Sequence, residues 1–222
     1  MLRTARGRSR DHSPDRRKEP ERDALPYYSP EEVEALARSL EDGEHRDPSR
    51  PAVSDEEKEV RAAEDHQDAV LVRTAAYAGL RLGELLALRW GDIDFAKSTI
   101  TVRRAVSAGV ESSTKSGRIR RVPLPEQLVV ALDSLSRREA YTSETDLVFC
   151  NAFGRALDGS ALRRRYKAAR DAAGLQELRF HDLRHTYGSN LAAAGVDPGH
   201  DSVGHGTRRA GDDQPLPPSR QV

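Results

Sequence analysis

Hydrophobic residues recur every three to four positions along much of the chain, a spacing that predicts amphipathic helices. The first helix should begin in segment 29–32, whose Ser-Pro-Glu-Glu order is that of a capping box with proline at the first helical position, and should end at Gly43. A second helix is predicted from about Asp55 to Ala78, where Gly79 ends it. Further helices are predicted over residues 81–89, from Pro125 onward, over 159–173 and over 181–194.

Alternation with a period of two predicts β-structure in the middle of the chain. Residues 99–106 and 118–124 alternate in this way around a turn over 110–117, so the sequence predicts a hairpin with Lys115 at its tip. A short buried strand is predicted over 146–150. The predicted fold class is therefore α+β and mainly helical, with one small antiparallel sheet.

Composition narrows the class of protein. Of the 222 residues, 36% are hydrophobic and 32% charged, and no apolar run approaches the ~20 residues that a membrane span needs. Cys150 is the single cysteine, which excludes a disulfide framework or a cysteine-based zinc site and fits a cytoplasmic location. No cluster of acidic residues argues for a metal, and no cofactor is expected.

The formal net charge is zero, but the charges are unevenly distributed. Residues 1–24 carry 8 basic and 5 acidic side chains, residues 25–70 carry 5 and 14, and residues 71–222 carry 23 and 17. The acidic segment thus balances a basic remainder, whose local field could hold a phosphate backbone. Residues 1–24 lack hydrophobic periodicity and are predicted to be a disordered basic tail.

Two separate stretches carry candidate chemistry. His181 and Arg184 are three residues apart near the start of a predicted helix, where their side chains and the free amide groups together suit a phosphate. An ordinary surface helix is the alternative interpretation of these residues. In the second stretch, Arg81 and Glu84 lie one helical turn apart and could form an ion pair.

Together these stretches resemble the tyrosine recombinase (phage integrase) family. The resemblance is carried by GLRLGELLALRWGDID at 79–94, by TKSGRIRRVPL at 114–124 and by HDLRHT at 181–186, and it covers about residues 25–198. It implies the catalytic fold of that family and site-specific recombination, in which DNA strands are cleaved and rejoined through a 3′-phosphotyrosine. The family acts on double-stranded DNA as a tetramer bound to two sites.

The resemblance also implies roles for individual residues. Arg81 and Arg184 would clamp the scissile phosphate, because a guanidinium can hold two oxygens at once and stays charged. His181 would hydrogen-bond the phosphate and assist proton transfer, Lys115 would protonate the departing 5′ oxygen, and Glu84 would support the site. Basic residues of the hairpin and of the helix over 159–173 are predicted to contact DNA, with a solvated helix face as the alternative for the latter. They are Arg118, Arg120, Arg121, Arg163, Arg164 and Lys167.

The resemblance fails after residue 198. The histidine of the family's Gly-His motif and its nucleophilic tyrosine should fall at Thr207 and Leu216, and no tyrosine follows Tyr187, which is predicted to pack in the core. His205 remains as a candidate for that histidine, two positions early. Reading the codons from Gly199 onward one base later permits a tail with histidine at position 207 and tyrosine at position 216. A one-base insertion near residues 198–199 would therefore explain the ending.

These observations divide the chain into the tail 1–24, an incomplete catalytic domain over 25–198 and an aberrant, disordered tail over 199–222. We expect that the helical domain preceding the catalytic domain in the family is missing. Because the nucleophile is absent, the chain is expected not to cleave DNA. Two alternatives are a non-catalytic DNA-binding remnant of an integrase and a defunct fragment that folds poorly.

Overall fold

The computed structural model describes residues 26–52, 54–107, 109–113, 119–193 and 195. The helices are α1 (Pro30–Glu41), α2 (Asp55–Ala78), α3 (Leu82–Leu86), α4 (Glu126–Ser136), α5 (Gly159–Ala172) and α6 (Leu183–Ala193). The strands are β1 (Ile93–Asp94), β2 (Thr99–Val102), β3 (Arg104–Ser107), β4 (Val110–Ser113) and β5 (Arg120–Pro123). The predicted tails 1–24 and 199–222, together with Lys115, Arg118 and His205, lie outside the described residues.

The start of α1 confirms the predicted capping box. The Ser29 hydroxyl accepts a hydrogen bond from the amide of Glu32 (3.3 Å), and the Ser29 amide donates to the Glu32 carboxylate (2.8 Å). These two bonds satisfy backbone donors that a helix end would otherwise leave unpaired. The buried face of α1, including Val33, Leu36 and Leu40, packs against α2.

Helix α2 is the central element of the core. It has the predicted bounds and packs against α1, α3, α4 and α6. The second half of α2 is almost entirely buried, and fully buried side chains from other elements join it in one hydrophobic cluster. Among them are Leu85, Leu128, Phe149, Leu162 and Leu183.

The predicted hairpin is only partly correct. Strand β2 pairs antiparallel with β5, as a hairpin requires, with Ile100 opposite Val122, and β1 completes a three-stranded sheet. The predicted strand over 99–106, however, is broken at Arg103 into β2 and β3. Strand β3 pairs with β4 in a second sheet, and β4 occupies the start of the predicted turn. The buried carboxylate of Asp92 lies at this break and binds both Arg103 (3.2 Å) and Arg104 (2.6 Å). Adjacent residues of a regular strand point to opposite faces, so an interruption at Arg103 favours contact of both side chains with one carboxylate.

The strand predicted over 146–150 is wrong. The segment makes only isolated bridges, between Arg89 and Leu147 and between Cys150 and Ala156. Two of its carbonyl groups accept hydrogen bonds from one side chain, since Arg138 donates to Leu147 (2.7 Å) and to Val148 (3.0 Å). Arg138 lies just after α4 and thus supplies hydrogen bonds that a neighbouring strand would have provided.

Two helix boundaries also differ from the prediction. Helix α3 is shorter than 81–89, and the stretch predicted over 181–194 begins with a 3-10 turn, Phe180–Asp182, that leads into α6. Tyr187 is half-buried and packs against the core, close to its predicted position. The mainly helical α+β class is confirmed, with two small antiparallel sheets in place of one. None of the described helices is both long and apolar enough to cross a membrane.

Helix α3 lies so close to β3 that it leaves no room for a side chain at Gly83. An added Cβ would lie 2.3 Å from the carbonyl oxygen of Val106, a backbone atom that cannot simply turn away. We expect Gly83→Ala to lower the free energy of unfolding by about 2 kcal/mol, measured by urea denaturation.

Gly188→Ala is the matched control for this substitution. Gly188 lies within α6, and nothing would be within 4 Å of an added Cβ. Replacing a glycine by alanine in a compatible helix should stabilise the fold by about 0.5–1 kcal/mol. Equal effects of the two substitutions would show that α3 and β3 are not closely packed.

Candidate active site

A buried carboxylate lies at the centre of the site. The Glu84 side chain, on α3, is 2% exposed and accepts hydrogen bonds from two arginines. Arg120 of β5 donates from Nη1 to Oε1 (2.8 Å) and from Nη2 to Oε2 (2.7 Å). Arg81 donates from Nη1 to Oε1 (3.1 Å) and from its backbone amide to Oε2 (2.8 Å). Burial opposes ionisation of Glu84, but these hydrogen bonds outweigh burial and hold the pKa of the carboxyl below its ordinary value.

Arg81 directly precedes α3 in an extended conformation. The bond from its amide to Glu84 satisfies a donor at the helix start, so the same carboxylate fixes both the backbone and the guanidinium of Arg81. The Arg81 side chain is nevertheless 47% exposed. One edge of the guanidinium is therefore held in place while the side chain stays accessible to a ligand.

Arg184 approaches the same place from α6. Its Nη1 donates to the carbonyl oxygen of Gly79 (2.7 Å), two residues before Arg81. Gly79 ends α2 at φ +60°, and an added Cβ would lie 2.4 Å from the ring of Tyr187, so the turn and the close contact both require glycine. Burial, and then the positive charges of Arg81 and Arg120, lower the pKa of Arg184. The structure thus brings together arginines that are a hundred positions apart in sequence.

The site keeps an excess of positive charge, because two guanidinium groups bind one carboxylate and a third, that of Arg184, lies at Gly79 nearby. Such an excess favours an anion, and the planar guanidinium matches the oxygens of a phosphate or carboxylate group. In the part of the chain that the structure describes, no group of His, Cys, Asp and Glu side chains is arranged to hold a metal ion.

His181 lies at the entrance to α6, in the 3-10 turn Phe180–Asp182. Its side chain is exposed, and its ring is nearly perpendicular to that of His185, with 6.1 Å between the ring centroids. Arg184 follows three residues later on the same segment. The structure therefore presents the imidazole to solvent at the end of α6 that also carries Arg184.

The basic residues predicted on the hairpin differ in their exposure to solvent. Arg120 is bound to Glu84, whereas Arg121 is exposed. The sequence analysis predicted DNA contacts for both residues. Adjacent residues of a strand point to opposite faces, so the alternation in 120–123 could have indicated that only one of them is exposed. Lys115 and Arg118 fall outside the described residues, so their roles stay predictions.

The basic residues of α5 differ in the same way. Arg163, Arg164 and Lys167 are exposed and are neighbours on the helix surface. Arg165 instead turns toward α2 and binds the buried carboxylate of Asp68 through two hydrogen bonds, of which Nη2 to Oδ1 is 2.9 Å. The three exposed residues form an accessible basic face on α5, which we call the α5 basic face.

The buried ion pair at Glu84 makes a pH dependence predictable. Because the folded pKa of Glu84 lies below the ordinary value of 4.5, the pair stabilises the fold above that value, and the contribution is lost as the pH falls through the folded pKa. Glu84→Gln removes this titration. We expect the difference in unfolding midpoint between the wild type and this variant to be constant above about pH 5 and to shrink in more acidic solution. Thermal melts over this range test the expectation, and a difference that is unchanged in acid would contradict it.

The fold is that of the catalytic domains of tyrosine recombinases. The crystal structure of XerA recombinase is similar to this chain with a TM-score of 0.55 at 25% identity, over 82% of this chain and 56% of that one. The XerH site-specific recombinase, in its complex with the difH substrate, gives a TM-score of 0.56 at 24% identity, over 82% of this chain and 48% of that one. The second comparison supports the fold alone.

Sequence comparison places the chain within a family. Residues 53–202 match the model of the phage integrase family. Over 170 residues the chain is 32% identical to a XerC-like tyrosine recombinase of Caldanaerobacter subterraneus subsp. tengcongensis, which covers 64% of this chain and 44% of the relative. The chain belongs to the phage integrase family, the tyrosine recombinases. It spans less than half the length of this relative.

Proposed function

We propose that the chain binds double-stranded DNA and holds one backbone phosphate between Arg81 and Arg184, as the catalytic domain of a site-specific recombinase or integrase. The observation that carries this proposal is that Arg81 and Arg120 bind the buried Glu84 carboxylate, while Arg184 of α6 binds the carbonyl oxygen of Gly79, two residues before Arg81. A carboxylate ligand would suit the same charges, but family membership favours the phosphodiester.

The proposed chemistry follows from the properties of a phosphodiester. Its oxygens repel a nucleophile, and cleavage becomes feasible where fixed positive charge meets the negative charge that develops in the transition state. Arg81 and Arg184 would supply that charge at two non-bridging oxygens. His181, exposed at the start of α6, would hydrogen-bond the phosphate and assist proton transfer. Lys115 would donate a proton to the departing 5′ oxygen.

Contacts farther along the DNA would come from the α5 basic face and from Arg121. These side chains are exposed and cationic, as backbone contacts require, and they carry no information about base sequence. XerH, which shares the fold, binds its difH substrate, which supports a DNA partner for this chain as well. Assembly as a tetramer on two DNA sites and a cytoplasmic location belong to the same proposal.

The proposal includes loss of strand cleavage in this 222-residue chain. In the family's reaction a tyrosine oxygen attacks the phosphorus, the bond to the 5′ oxygen breaks, and a 3′-phosphotyrosine forms. The register of the family places that tyrosine at position 216, where this chain has Leu216. The division into a catalytic domain over 25–198 and an aberrant segment over 199–222 is proposed on the same grounds.

A DNA-binding experiment tests the phosphate site. Fluorescence anisotropy with a labelled duplex of mixed sequence should show affinity that falls steeply with salt concentration. In Arg81→Ala combined with Arg184→Ala, we expect an affinity about tenfold lower and a salt slope reduced by about one, because one phosphate contact is lost.

The control removes two arginines elsewhere. Arg50→Ala combined with Arg137→Ala deletes two charges whose side chains are 85% and 76% exposed, and it should leave the affinity nearly unchanged. An affinity and a salt slope that are unchanged by loss of Arg81 and Arg184 would contradict the proposed site and favour a non-catalytic remnant that binds DNA through the α5 basic face. A chain without a cooperative thermal transition would favour a defunct fragment.

A further inference from the structure

We propose that Arg120 is a positioning residue, which acts through Glu84 to hold the phosphate-binding arginine Arg81 in place. This inference rests on the proposed function of the site and adds a residue to it. The sequence had grouped Arg120 with residues that contact DNA. The geometry gives it a different task.

Both terminal nitrogens of Arg120 are engaged by one carboxylate. They form a paired, fork-like contact with the two Glu84 oxygens, at 2.8 and 2.7 Å. This geometry holds the plane of the carboxylate, since a single hydrogen bond would let it rotate and two parallel bonds do not. The contact uses both terminal nitrogens of Arg120 and holds its guanidinium against Glu84.

The orientation of the Glu84 carboxylate is passed on to Arg81. Each Glu84 oxygen accepts one hydrogen bond from Arg120 and one from Arg81, so the carboxylate lies between the two arginines. The Arg81 side chain is about half exposed and has many available rotamers. Its bond to Glu84 selects one of them, and Arg120 keeps Glu84 where that bond can form.

Arg120 also balances the buried charge. Glu84 is nearly inaccessible to water, and Arg81 alone, being half exposed, would leave the carboxylate poorly compensated. With Arg120 in place, Glu84 stays ionised and can hold Arg81. Arg120 therefore affects phosphate binding without touching the phosphate.

Lysine is the discriminating substitution, because it keeps the positive charge and loses the planar fork. Inorganic phosphate is titrated into the folded chain at constant ionic strength, and the Nε–H signals of Arg81 and Arg184 are followed by NMR on 15N-arginine-labelled protein. We expect Arg120→Lys to weaken phosphate binding at Arg81 about tenfold. We expect the double variant, Arg120→Lys with Glu84→Gln, to bind phosphate no more weakly than the weaker-binding of the two single variants. The two substitutions disrupt the same contact, so their effects should not add.

Arg104→Lys is the matched control. Arg104 lies in strand β3 and pairs with a different buried carboxylate, that of Asp92 (2.6 Å). Loss of this pair should lower the unfolding midpoint and leave phosphate binding at Arg81 within about twofold of the wild type. Equal weakening by both lysine variants would mean that Arg120 has only a structural role, and unchanged binding in Arg120→Lys would also overturn the inference.

A second variant covers the case in which Arg120→Lys does not fold. Replacing both partners by apolar residues, Arg120→Met with Glu84→Leu, removes the buried pair without leaving a charge unpaired and often preserves stability. This variant should fold and lose the Arg81 response to phosphate, and a wild-type response would overturn the positioning role. Failure of the proposed function looks different, since neither Arg81 nor Arg184 would then respond to phosphate in the wild-type chain.

Discussion

A chain with the tail ATIQSVMGHAELATTSRYLHPAR in place of residues 199–222 is expected to form a covalent complex with DNA, whereas the 222-residue chain is expected to form none. The tail is a permitted translation of the same region in the second reading frame. It places histidine at position 207 and tyrosine at position 216, the positions where the family has its motif histidine and nucleophile. The expected change is from no product to a detectable one, because the other proposed groups only stabilise charge and move protons, and none of them can replace the attacking oxygen.

The substrate is a labelled pool of nicked duplexes of random sequence. Cleavage near the nick releases a short strand that diffuses away, so the DNA cannot be rejoined and the protein stays covalently bound. A denaturing gel then detects the complex. The same tail with phenylalanine at position 216 is the control and should give no complex. A complex formed by the unaltered chain would refute the proposed loss of cleavage. If the altered chain binds DNA and still forms no complex, the proposed register of the tail is incorrect. The nucleotide sequence at codons 198–199 is an independent check of the insertion.

The second large effect is expected at Asp68, whose side chain is 1% exposed and binds Arg165 of α5. Burial raises the pKa of Asp68, and the bond to Arg165 works against that rise. Asp68→Ala would leave a partly buried guanidinium without its anion. We expect the free energy of unfolding to fall by about 3 kcal/mol, the lower end for a broken buried pair because the Arg165 side chain remains 31% exposed.

Asp133→Ala is the control for Asp68→Ala, since Asp133 also pairs with an arginine, Arg137, but on the exposed surface of α4. Loss of this pair should change the free energy of unfolding by less than about 0.5 kcal/mol. Urea denaturation measures both effects. Similar values for the two aspartates would show that the contact between α2 and α5 does not depend on the buried pair.

Local features of the sequence predicted the helices well. The capping box at Ser29 and the glycine at position 79 mark the ends of α1 and α2, because capping and left-handed turns depend on residues within one or two turns of the boundary. The pairing of β2 with β5 also followed from alternation. The break at Arg103 did not, and the carboxylate of Asp92 that lies at the break reaches that point only in the folded chain.

The division of the basic residues shows the same limit. Arg120 and Arg121 are adjacent in β5, and Arg164 and Arg165 are adjacent in α5. In the structure one member of each pair is exposed and the other is bound to a buried carboxylate contributed by another element. An arginine contacts solvent or an acid according to what packs against it, and that partner is distant in sequence.

By itself, the sequence determined the helical class, most helix boundaries and the residue types needed to bind a phosphate, since each depends on neighbours along the chain. Only the tertiary structure decided that Arg81, Arg120 and Arg184 share one place and that Glu84 lies between two of them. The physical reason is that charges act through space. A hundred positions separate Arg81 from Arg184, and only the packing of α2 against α3 and α6 brings them together.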